Sequence, residues 1–256
     1  MIVIKNKGAI EKMRKAGHSL AQIMQDVRYL LKSGISTLEI DSFIEKKILE
    51  FGLKPECKGY AGYKYATCIS LNDGLVHGIP SDKVILKSGD FVKIDVVASY
   101  AGYCADMTRY FFIENVDIEI KRIAQVAQFA LDSAIKLAVE GNRISDISAC
   151  VQKIVEENGF GVVRSFAGHG IGRNLHEEPE IPNFGKPGLG PVLRSGMTLA
   201  IEPMITQGGF DVRVMADGWT VKTVDGGIAA HVEDTVLVTT GMPEILTRLP
   251  DSAVEG

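Results

Sequence analysis

The order of the predicted elements repeats once along the chain, and this repeat restricts the fold more than any other feature. Apolar residues at helical spacing, ended by glycines, predict two pairs of amphipathic helices: residues 8–33 and 36–52, then 117–140 and 145–158. Strand-like segments follow each pair: residues 67–71, 91–99 and 103–113, then 162–166, 197–206, 219–224 and 228–239. We interpret this order as an α+β arrangement.

The two predicted halves, residues 8–113 and 117–239, are expected to be structurally similar. Their strands should join into one antiparallel sheet with the helices packed on one face. The repeat lies in the order of elements only, because the residues themselves show no internal similarity. A chain of 256 residues with 46% hydrophobic content can bury a sizeable core, and no linker separates independent domains. We therefore predict a single domain over residues 1–256, with a frayed tail at 250–256.

Composition and charge exclude several classes of partner and compartment. A net charge of −4 gives no overall attraction to nucleic acid or to an anionic membrane. The four cysteines have no C-x-x-C pair and no zinc-finger spacing, which argues against a structural zinc site and fits reduced thiols. The N-terminus has no apolar signal-peptide core, and no apolar run approaches the ~20 residues of a membrane span. We expect a cytoplasmic protein with neither a DNA nor a membrane partner.

Four acidic residues interrupt segments that otherwise look like buried strands: Asp95, Asp106, Glu202 and Glu233. If the hairpin turns at Tyr100 and Ala101, Asp95 lies opposite Asp106 with Cβ atoms about 5 Å apart, and a register shifted by two makes them diagonal neighbours on one face. Buried carboxylates on one sheet repel one another, and the simplest remedy is a pair of divalent cations about 3.5–4 Å apart. For each acid alone, a salt bridge to Arg or Lys remains the alternative.

Residues 168–179, GHGIGRNLHEEP, hold the densest group of chemically active side chains. The glycines permit backbone shapes that other residues resist, so His169 can be aimed at a site without side-chain crowding and can supply a nitrogen ligand. A phosphate-binding glycine loop is the alternative, but the spacing of the known phosphate motifs is absent. His176 does not begin an H-E-x-x-H zinc motif, because no second His follows and Pro179 would disturb the helix. His77 precedes a turn, where a lone His is more often a surface residue.

Taken together, these motifs resemble the bacterial type I methionine aminopeptidases, a branch of the pita-bread metallopeptidases. The resemblance covers nearly the whole chain, and its motifs are NDGLVHGIP at 72–80, IDV at 94–96, DMTR at 106–109, GHGIG at 168–172 and IEPM at 201–204. It implies one curved antiparallel sheet built from two pseudo-symmetric halves and covered by helices on one face. The implied activity is removal of the initiator methionine from nascent proteins, with a preference for a small second residue.

The resemblance also implies roles for particular residues. Two divalent ions, of Co, Mn, Fe(II) or Zn, would be held by Asp95, Asp106, His169, Glu202 and Glu233, with Asp106 and Glu233 bridging. The catalytic residues would be Glu202, His77 and His176. The substrate would contact Cys57, Tyr60, Tyr63, Cys68, His77, Leu175, His176 and Trp219. Partners would be the N-termini of nascent polypeptides and, transiently, the ribosome, with the enzyme itself a monomer.

Three positions depart from the pattern of the resemblance. Val76 takes a place that is often Cys, with little expected consequence. Leu175 stands where many relatives carry an aromatic residue, which predicts a looser methionine pocket. Asp234 follows Glu233 where His is common, and this pair is similar to the Xaa-Pro branch of the superfamily. The alternatives are therefore an Xaa-Pro aminopeptidase or prolidase, which usually carries a further N-terminal domain, and a catalytically dead pita-bread protein that binds peptides, partners or RNA.

Overall fold

The structure is a computed structural model that describes residues 1–250, and these residues form four α-helices in the two predicted pairs. They are α1 (Lys7–Val27), α2 (Thr37–Glu50), α3 (Ile118–Ile135) and α4 (Ile144–Glu157). The capping box of α2 is confirmed, because the Ser36 hydroxyl accepts from the Glu39 amide at 3.1 Å and the Glu39 carboxylate accepts from the Ser36 amide at 2.9 Å. Both long helices end earlier than predicted, α1 at Val27 and α3 at Ile135. Apart from Pro250, the predicted tail lies outside the described residues.

The described residues form fourteen strands, all paired antiparallel with one another. They are β1 (Lys54–Pro55), β2 (Thr67–Leu71), β3 (Phe91–Tyr100), β4 (Tyr103–Phe112), β5 (Gly161–Val162), β6 (Ala167–Gly170), β7 (Glu177–Pro182), β8 (Thr198–Ile201), β9 (Met204–Thr206), β10 (Val212–Val214), β11 (Val221–Thr223), β12 (Ala229–His231), β13 (Glu233–Leu237) and β14 (Glu244–Ile245). The main sheet has the order β1-β3-β4-β13-β8-β6-β7, with β2 also on β3 and β14 also on β13. The α+β class is thus confirmed.

Two predicted strands are each divided between two sheets. The segment 197–206 breaks after β8 at Glu202 and Pro203, and the segment 228–239 breaks at Val232 between β12 and β13. Proline has no amide hydrogen to give to a strand ladder, so Pro203 is a natural breaking point. The outer pieces β9 and β12 join β5 in a separate three-stranded sheet. The breaks lie beside each other, and both fall next to acids singled out in the sequence.

The hairpin β3–β4 has the shifted register. Tyr100 pairs with Tyr103, so Asp95 faces Thr108 and Asp106 faces Val97. The directly opposed arrangement of Asp95 and Asp106 was therefore wrong, and the diagonal one is confirmed. The cause is a two-residue turn in which both Ala101 and Gly102 have positive φ, at 48° and 76°.

One strand pairing joins the first half of the chain to the second. Strand β4 pairs with β13, with Glu233 beside Thr108 and Asp234 beside Met107. Helix α1 packs on β3 and β4, and α3 packs on β8, β9, β12 and β13. Helices α1 and α3 bury their apolar stripes in two different clusters, and two smaller clusters contain residues of both halves. The polar site thus lies where the two halves pack together. Within residues 1–250, no helix has both the length and the apolar character that crossing a membrane requires.

Candidate functional site

The five predicted ligands line one cavity of about 200 Å³. Asp95 lies on β3, Asp106 on β4, His169 on β6 and Glu233 on β13, while Glu202 directly follows β8. The strands β3, β4, β13, β8 and β6 are successive neighbours in the main sheet. Each of them carries one of the five ligands or is directly followed by one. The imidazole Nε2 of His169 is 3.8 Å from Asp106 Oδ2 and 3.7 Å from Glu202 Oε1.

The donor set fits metal cations better than it fits internal salt bridges. Among the described residues, no Arg or Lys forms an ion pair with any of the four buried acids of the cavity. Two carboxylate oxygens, Asp106 Oδ1 and Glu233 Oε1, are buried with no hydrogen-bond partner. Ligand atoms of Asp106, His169 and Glu233 lie within 4.8 Å of one another, as do those of Glu202, His231 and Glu233. Buried oxygens without partners are costly unless a cation satisfies them.

Burial raises the pKa of every acid in this cluster, and neighbouring acids add to the shift for Asp95, Asp106 and Glu233. Burial raises the pKa of Asp95 to about 6, with Glu202 adding to the effect. Burial raises the pKa of Glu202 to about 7, although His169 opposes the shift. The pKa values of Asp106 and Glu233 lie well above the usual range because both carboxyls are buried beside other acids. A bound cation would reverse this preference and favour the charged forms.

The glycines around His169 are required by space. None of Gly168, Gly170 and Gly172 has a positive φ, so of the two predicted reasons for glycine the avoidance of side-chain crowding is the one that applies. A Cβ on Gly168 would meet the main-chain oxygen of Ala200 on β8, and a Cβ on Gly170 would meet that of Glu178 on β7. Both contacts are with backbone that cannot move aside. The two glycines therefore let β6 pass closely between its neighbours and hold His169 at the cavity.

The two other predicted histidines also line the cavity. His77 has a positive φ of 58°, which is rare for a residue with a side chain, and its ring is 5.8 Å from that of Phe166. The Nδ1 atom of His176 is 2.9 Å from the hydroxyl of Tyr60. Burial lowers the pKa of His77 to about 4 and also lowers that of His176. Both imidazoles are thus neutral at pH 7, and the surface alternative for His77 was wrong.

The predicted substrate residues form an uncharged wall on one side of this cavity. Its members are Cys57, Tyr60, Tyr63, Cys68, Leu175 and Trp219. The rings of Tyr63 and Trp219 meet edge to face with centroids 4.9 Å apart. A hydrogen bond to Cys68, together with burial, raises the pKa of Cys57 well above its usual value, so its thiol is neutral. Soft sulfur and aromatic surfaces of this kind suit a thioether side chain.

Sequence reasoning missed His231. This residue ends β12, is only 2% exposed, and places its Nε2 atom 3.2 Å from Oε2 of Glu202. Burial lowers the pKa of His231 to about 4, so its ring is neutral. Alternation along the predicted strand 228–239 places His231 on the same face as Glu233, but a neutral histidine in a core does not by itself indicate a site.

Asp234, which the sequence left as a departure, faces away from the cavity. Its carboxylate is fully buried and accepts from Arg109 Nη2 at 2.6 Å, Arg248 Nε at 2.8 Å and the Thr247 hydroxyl at 2.7 Å. These partners hold the C-terminal segment against β13. Asp234 is therefore part of the packing behind the sheet, and its side chain does not line the cavity.

Comparison with known proteins agrees with this geometry. The model of metallopeptidase family M24 matches residues 11–240. The chain belongs to family M24. Within this family it is 43% identical over 249 residues to the methionine aminopeptidase of Clostridium perfringens, covering 97% of this chain and 100% of that relative.

Solved structures of M24 peptidases share the fold. A crystal structure of methionine aminopeptidase from Thermotoga maritima superposes with a TM-score of 0.96 at 44% identity, covering 97% of this chain and 100% of that one. The prolidase from Pyrococcus furiosus gives a TM-score of 0.78 at 25% identity, and the match covers 97% of this chain but 66% of the prolidase. The fold is thus the pita-bread fold of this family, at the length of the methionine aminopeptidases.

Proposed function

We propose that this M24 chain is a methionine aminopeptidase that removes the N-terminal methionine from nascent proteins and peptides and prefers a small second residue. The observation that supports the proposal is that two kinds of surface line the same cavity. An acidic and imidazole cluster with unsatisfied buried oxygens forms one wall, and a sulfur and aromatic surface forms another. The near full-length similarity to methionine aminopeptidases supports the same activity.

The residues that would hold the metal pair are Asp95, Asp106, His169, Glu202 and Glu233. Asp106 and Glu233 are the bridging candidates, because each has one oxygen without a protein partner. Bound divalent ions, of Co, Mn, Fe(II) or Zn, would supply Lewis acidity toward the scissile carbonyl and lower the pKa of a water toward neutrality. An internal peptide bond offers no free amine to such a site, which restricts cleavage to the N-terminus.

Glu202 and the two cavity histidines would carry the proton transfers and orient the peptide. Glu202 lies in the cluster and can accept a proton from the attacking water and pass it to the leaving amine. If the Tyr60 hydroxyl donates to Nδ1 of His176, the proton of that imidazole is on Nε2, where it can donate to the scissile carbonyl oxygen. His77 would contact the amide nitrogen of the substrate.

The methionine side chain would lie against the uncharged wall formed by Cys57, Tyr60, Tyr63, Cys68, Leu175 and Trp219. A neutral wall excludes charged first residues, because burying an unpaired charge there would be costly. Leu175 is branched and flexible compared with an aromatic ring, so the pocket should tolerate slightly larger first side chains. Norleucine and ethionine peptides, compared with methionine peptides, would measure this tolerance.

The prolidase alternative lacks a structural basis in this cavity. Asp234, its main support in the sequence, is bound by two arginines behind the sheet. The dead-protein alternative predicts lost ligands, whereas all five acidic and imidazole groups line the cavity. Parallel assays on Met-Ala-Ser and on an Xaa-Pro peptide separate the first two activities. Metal analysis after anaerobic purification separates an enzyme with a bound pair from a binding protein without one.

We further propose that the protein acts in the cytoplasm as a monomer, on N-termini that emerge during synthesis. The single domain with two similar halves, residues 8–113 and 117–239, would be the whole catalytic unit. A transient contact with the ribosome would bring substrates to the cavity. Cosedimentation with ribosomes at low and high salt, and light scattering of the free protein, test these two statements.

The deciding experiment replaces Glu202 by Gln, which keeps the shape of the side chain and removes its basicity. Turnover of Met-Ala-Ser should fall by about 10²–10⁴-fold, the usual contribution of a general base, while circular dichroism stays that of the wild type. The matched control is Glu157→Gln, at the exposed end of α4, which should keep full activity. Wild-type cleavage by Glu202→Gln would refute the assigned role.

A further inference from the structure

His231 lies where both broken strands turn toward the cavity. Strand β12 ends at His231, which pairs with Met204 at the start of β9. Next to this pair, the Val232 amide donates to the Pro203 carbonyl at 3.5 Å. This hydrogen bond links the two strand breaks. The breaks bring His231 and Glu202, which lie on neighbouring segments, close together. The position of His231 is set by backbone pairing with the segment that directly follows Glu202.

Each oxygen of Glu202 faces a different imidazole. Oε1 is 3.7 Å from Nε2 of His169, beyond hydrogen-bond distance, and Oε2 is 3.2 Å from Nε2 of His231, within it. When Glu202 is ionised, as a bound cation favours, it has no hydrogen to give, and the hydrogen of the contact with His231 then lies on the imidazole Nε2. The two oxygens of Glu202 are therefore not equivalent, although their chemistry is the same.

We infer that His231 is a positioning residue that holds Oε2 of Glu202 by a hydrogen bond and thereby presents Oε1 to the metal side of the cavity. This inference rests on the proposed two-metal function. This arrangement assigns the two tasks of Glu202 to different oxygens. Oε1 is available as a metal ligand beside His169. Oε2, which keeps its hydrogen bond with His231, is the proton acceptor. A ligand carboxylate fixed by an outer hydrogen bond binds metal more tightly than a free one.

The alternative arrangement makes His231 itself a ligand, because it lies within 4.8 Å of Glu202 and Glu233. The distribution of polar atoms with and without hydrogen-bond partners favours the hydrogen bond over direct metal binding by His231. The oxygens that lack any partner belong to Asp106 and Glu233, which cluster with His169, whereas Nε2 of His231 already has Glu202. An atom that has a partner needs no cation to satisfy it.

Two substitutions at position 231 separate an N–H donor from mere volume. His231→Gln keeps an N–H group that can reach Glu202, and His231→Leu keeps a similar size without a donor. His18→Leu, on α1 and outside the cavity, is the matched control. If His231→Leu does not fold, His231→Asn replaces it, because its shorter amide does not reach Glu202.

The measurements are Mn(II) titration by calorimetry, the visible absorption of the Co(II) protein, and kcat and KM on Met-Ala-Ser. In His231→Leu we expect Mn(II) affinity and kcat to fall by about 10–100-fold, with KM within about twofold and an altered Co(II) spectrum. His231→Gln should recover most of each loss, and His18→Leu should match the wild type.

Three results would overturn the inference. His231→Leu with wild-type Mn(II) affinity and Co(II) spectrum would show that Glu202 needs no such support. His231→Gln as impaired as His231→Leu would show that an N–H group is not what matters. X-ray absorption of the wild-type pair showing two imidazoles, with one lost in His231→Leu, would make His231 a ligand. A wild-type protein that neither binds Mn(II) nor cleaves Met-Ala-Ser would instead refute the proposed function.

Discussion

Glu233 and Asp234 are neighbours on β13, and their side chains lie on opposite faces of the sheet. Glu233 has an unsatisfied oxygen in the cavity, whereas Asp234 is bound by Arg109 and Arg248 on the other face. Strand alternation produces this separation, so adjacent acids can have unrelated roles. For a residue on a strand, the face of the sheet on which its side chain lies therefore decides which reactions or contacts it can take part in.

Replacing Asp234 by Asn should therefore lower stability and leave selectivity unchanged. The two guanidinium groups would lose their buried counter-charge, and the free energy of unfolding should fall by about 3 kcal/mol. This is the low end for buried pairs, because both arginines are partly exposed. Urea unfolding measures the loss, with Glu119→Gln in an exposed pair as the control. A changed ratio of Met-Ala-Ser to Xaa-Pro cleavage would contradict this view of Asp234.

Gly170→Ala tests the spatial role of the glycines beside His169. The new Cβ would meet the main-chain oxygen of Glu178, so β6 and β7 must separate. We expect a loss of about 1–3 kcal/mol in unfolding free energy and weaker metal binding by His169. The control is Gly8→Ala at the start of α1, where the nearest atom would be 3.7 Å away. Thermal unfolding and Mn(II) titration measure both effects, and a neutral Gly170→Ala would contradict the close approach.

At the scale of elements, periodicity located β2, β3 and β4 and the segments that contain β8, β9, β11, β12 and β13, but not the strands β1, β6, β7, β10 and β14. It also could not say which sheet each strand joins. The segment 67–71 matches β2 residue for residue, but 197–206 and 228–239 were predicted as continuous strands. Apolar alternation is the same on both sides of a break, and only Pro203 signalled one. Strand β7 was missed because prolines and glutamates look like a loop, although its apolar residues Pro179 and Ile181 are buried. Its edge position explains the tolerance for proline.

The candidate site was predictable where a residue conflicted with its surroundings. Acids within apolar strands pointed to Asp95, Asp106, Glu202 and Glu233, because burial of an unpaired carboxylate is costly. His231 raised no such conflict, since a neutral imidazole is compatible with a core. The hydrogen bond to Glu202 depends on two strand breaks meeting, which is a tertiary event that local pattern does not contain.

Strand β7 is also attached to the N-terminal segment through a buried ion pair. The Lys5 ammonium is 2.7 Å from Glu177 Oε2, and both side chains are at least nine-tenths buried. Glu177→Gln would leave Lys5 without a counter-charge, so the free energy of unfolding should fall by about 3–5 kcal/mol at pH 7. A matched Lys54 and Glu56 pair at the surface, tested by Lys54→Met, should cost less than about 1 kcal/mol.

The same pair has a predicted pH dependence. Burial alone would raise the pKa of Glu177, but hydrogen bonds from Lys5 and from the Asn174 amide lower it overall. A carboxyl whose pKa is lower in the folded state stabilises the protein above its unfolded pKa of about 4.3, and this contribution is lost as pH falls through the folded value. The difference between wild type and Glu177→Gln should be full at pH 7 and shrink below about pH 4. A constant difference would contradict the assignment.

At the scale of the whole molecule, the site joins the two halves of the chain. Asp95 and Asp106 come from the first half, and His169, Glu202 and Glu233 come from the second. The pairing of β4 with β13 and two shared apolar clusters already connect the halves, and a metal pair would be a further connection. Binding of cations to the folded state alone stabilises it, by about 2.7 kcal/mol when the free ion is at 100 times Kd.

Glu233→Gln should consequently have opposite effects in the absence and the presence of metal. Without metal, Glu233 is a buried acid among acids, so the amide should leave the chelator-treated protein as stable as wild type or more so. With two equivalents of Mn(II), wild type should gain about 5–10 °C in Tm, and the variant should gain little. The two melting curves therefore change order when metal is added. An equal gain in both proteins would mean that the cations bind elsewhere and that Glu233 does not hold the halves together.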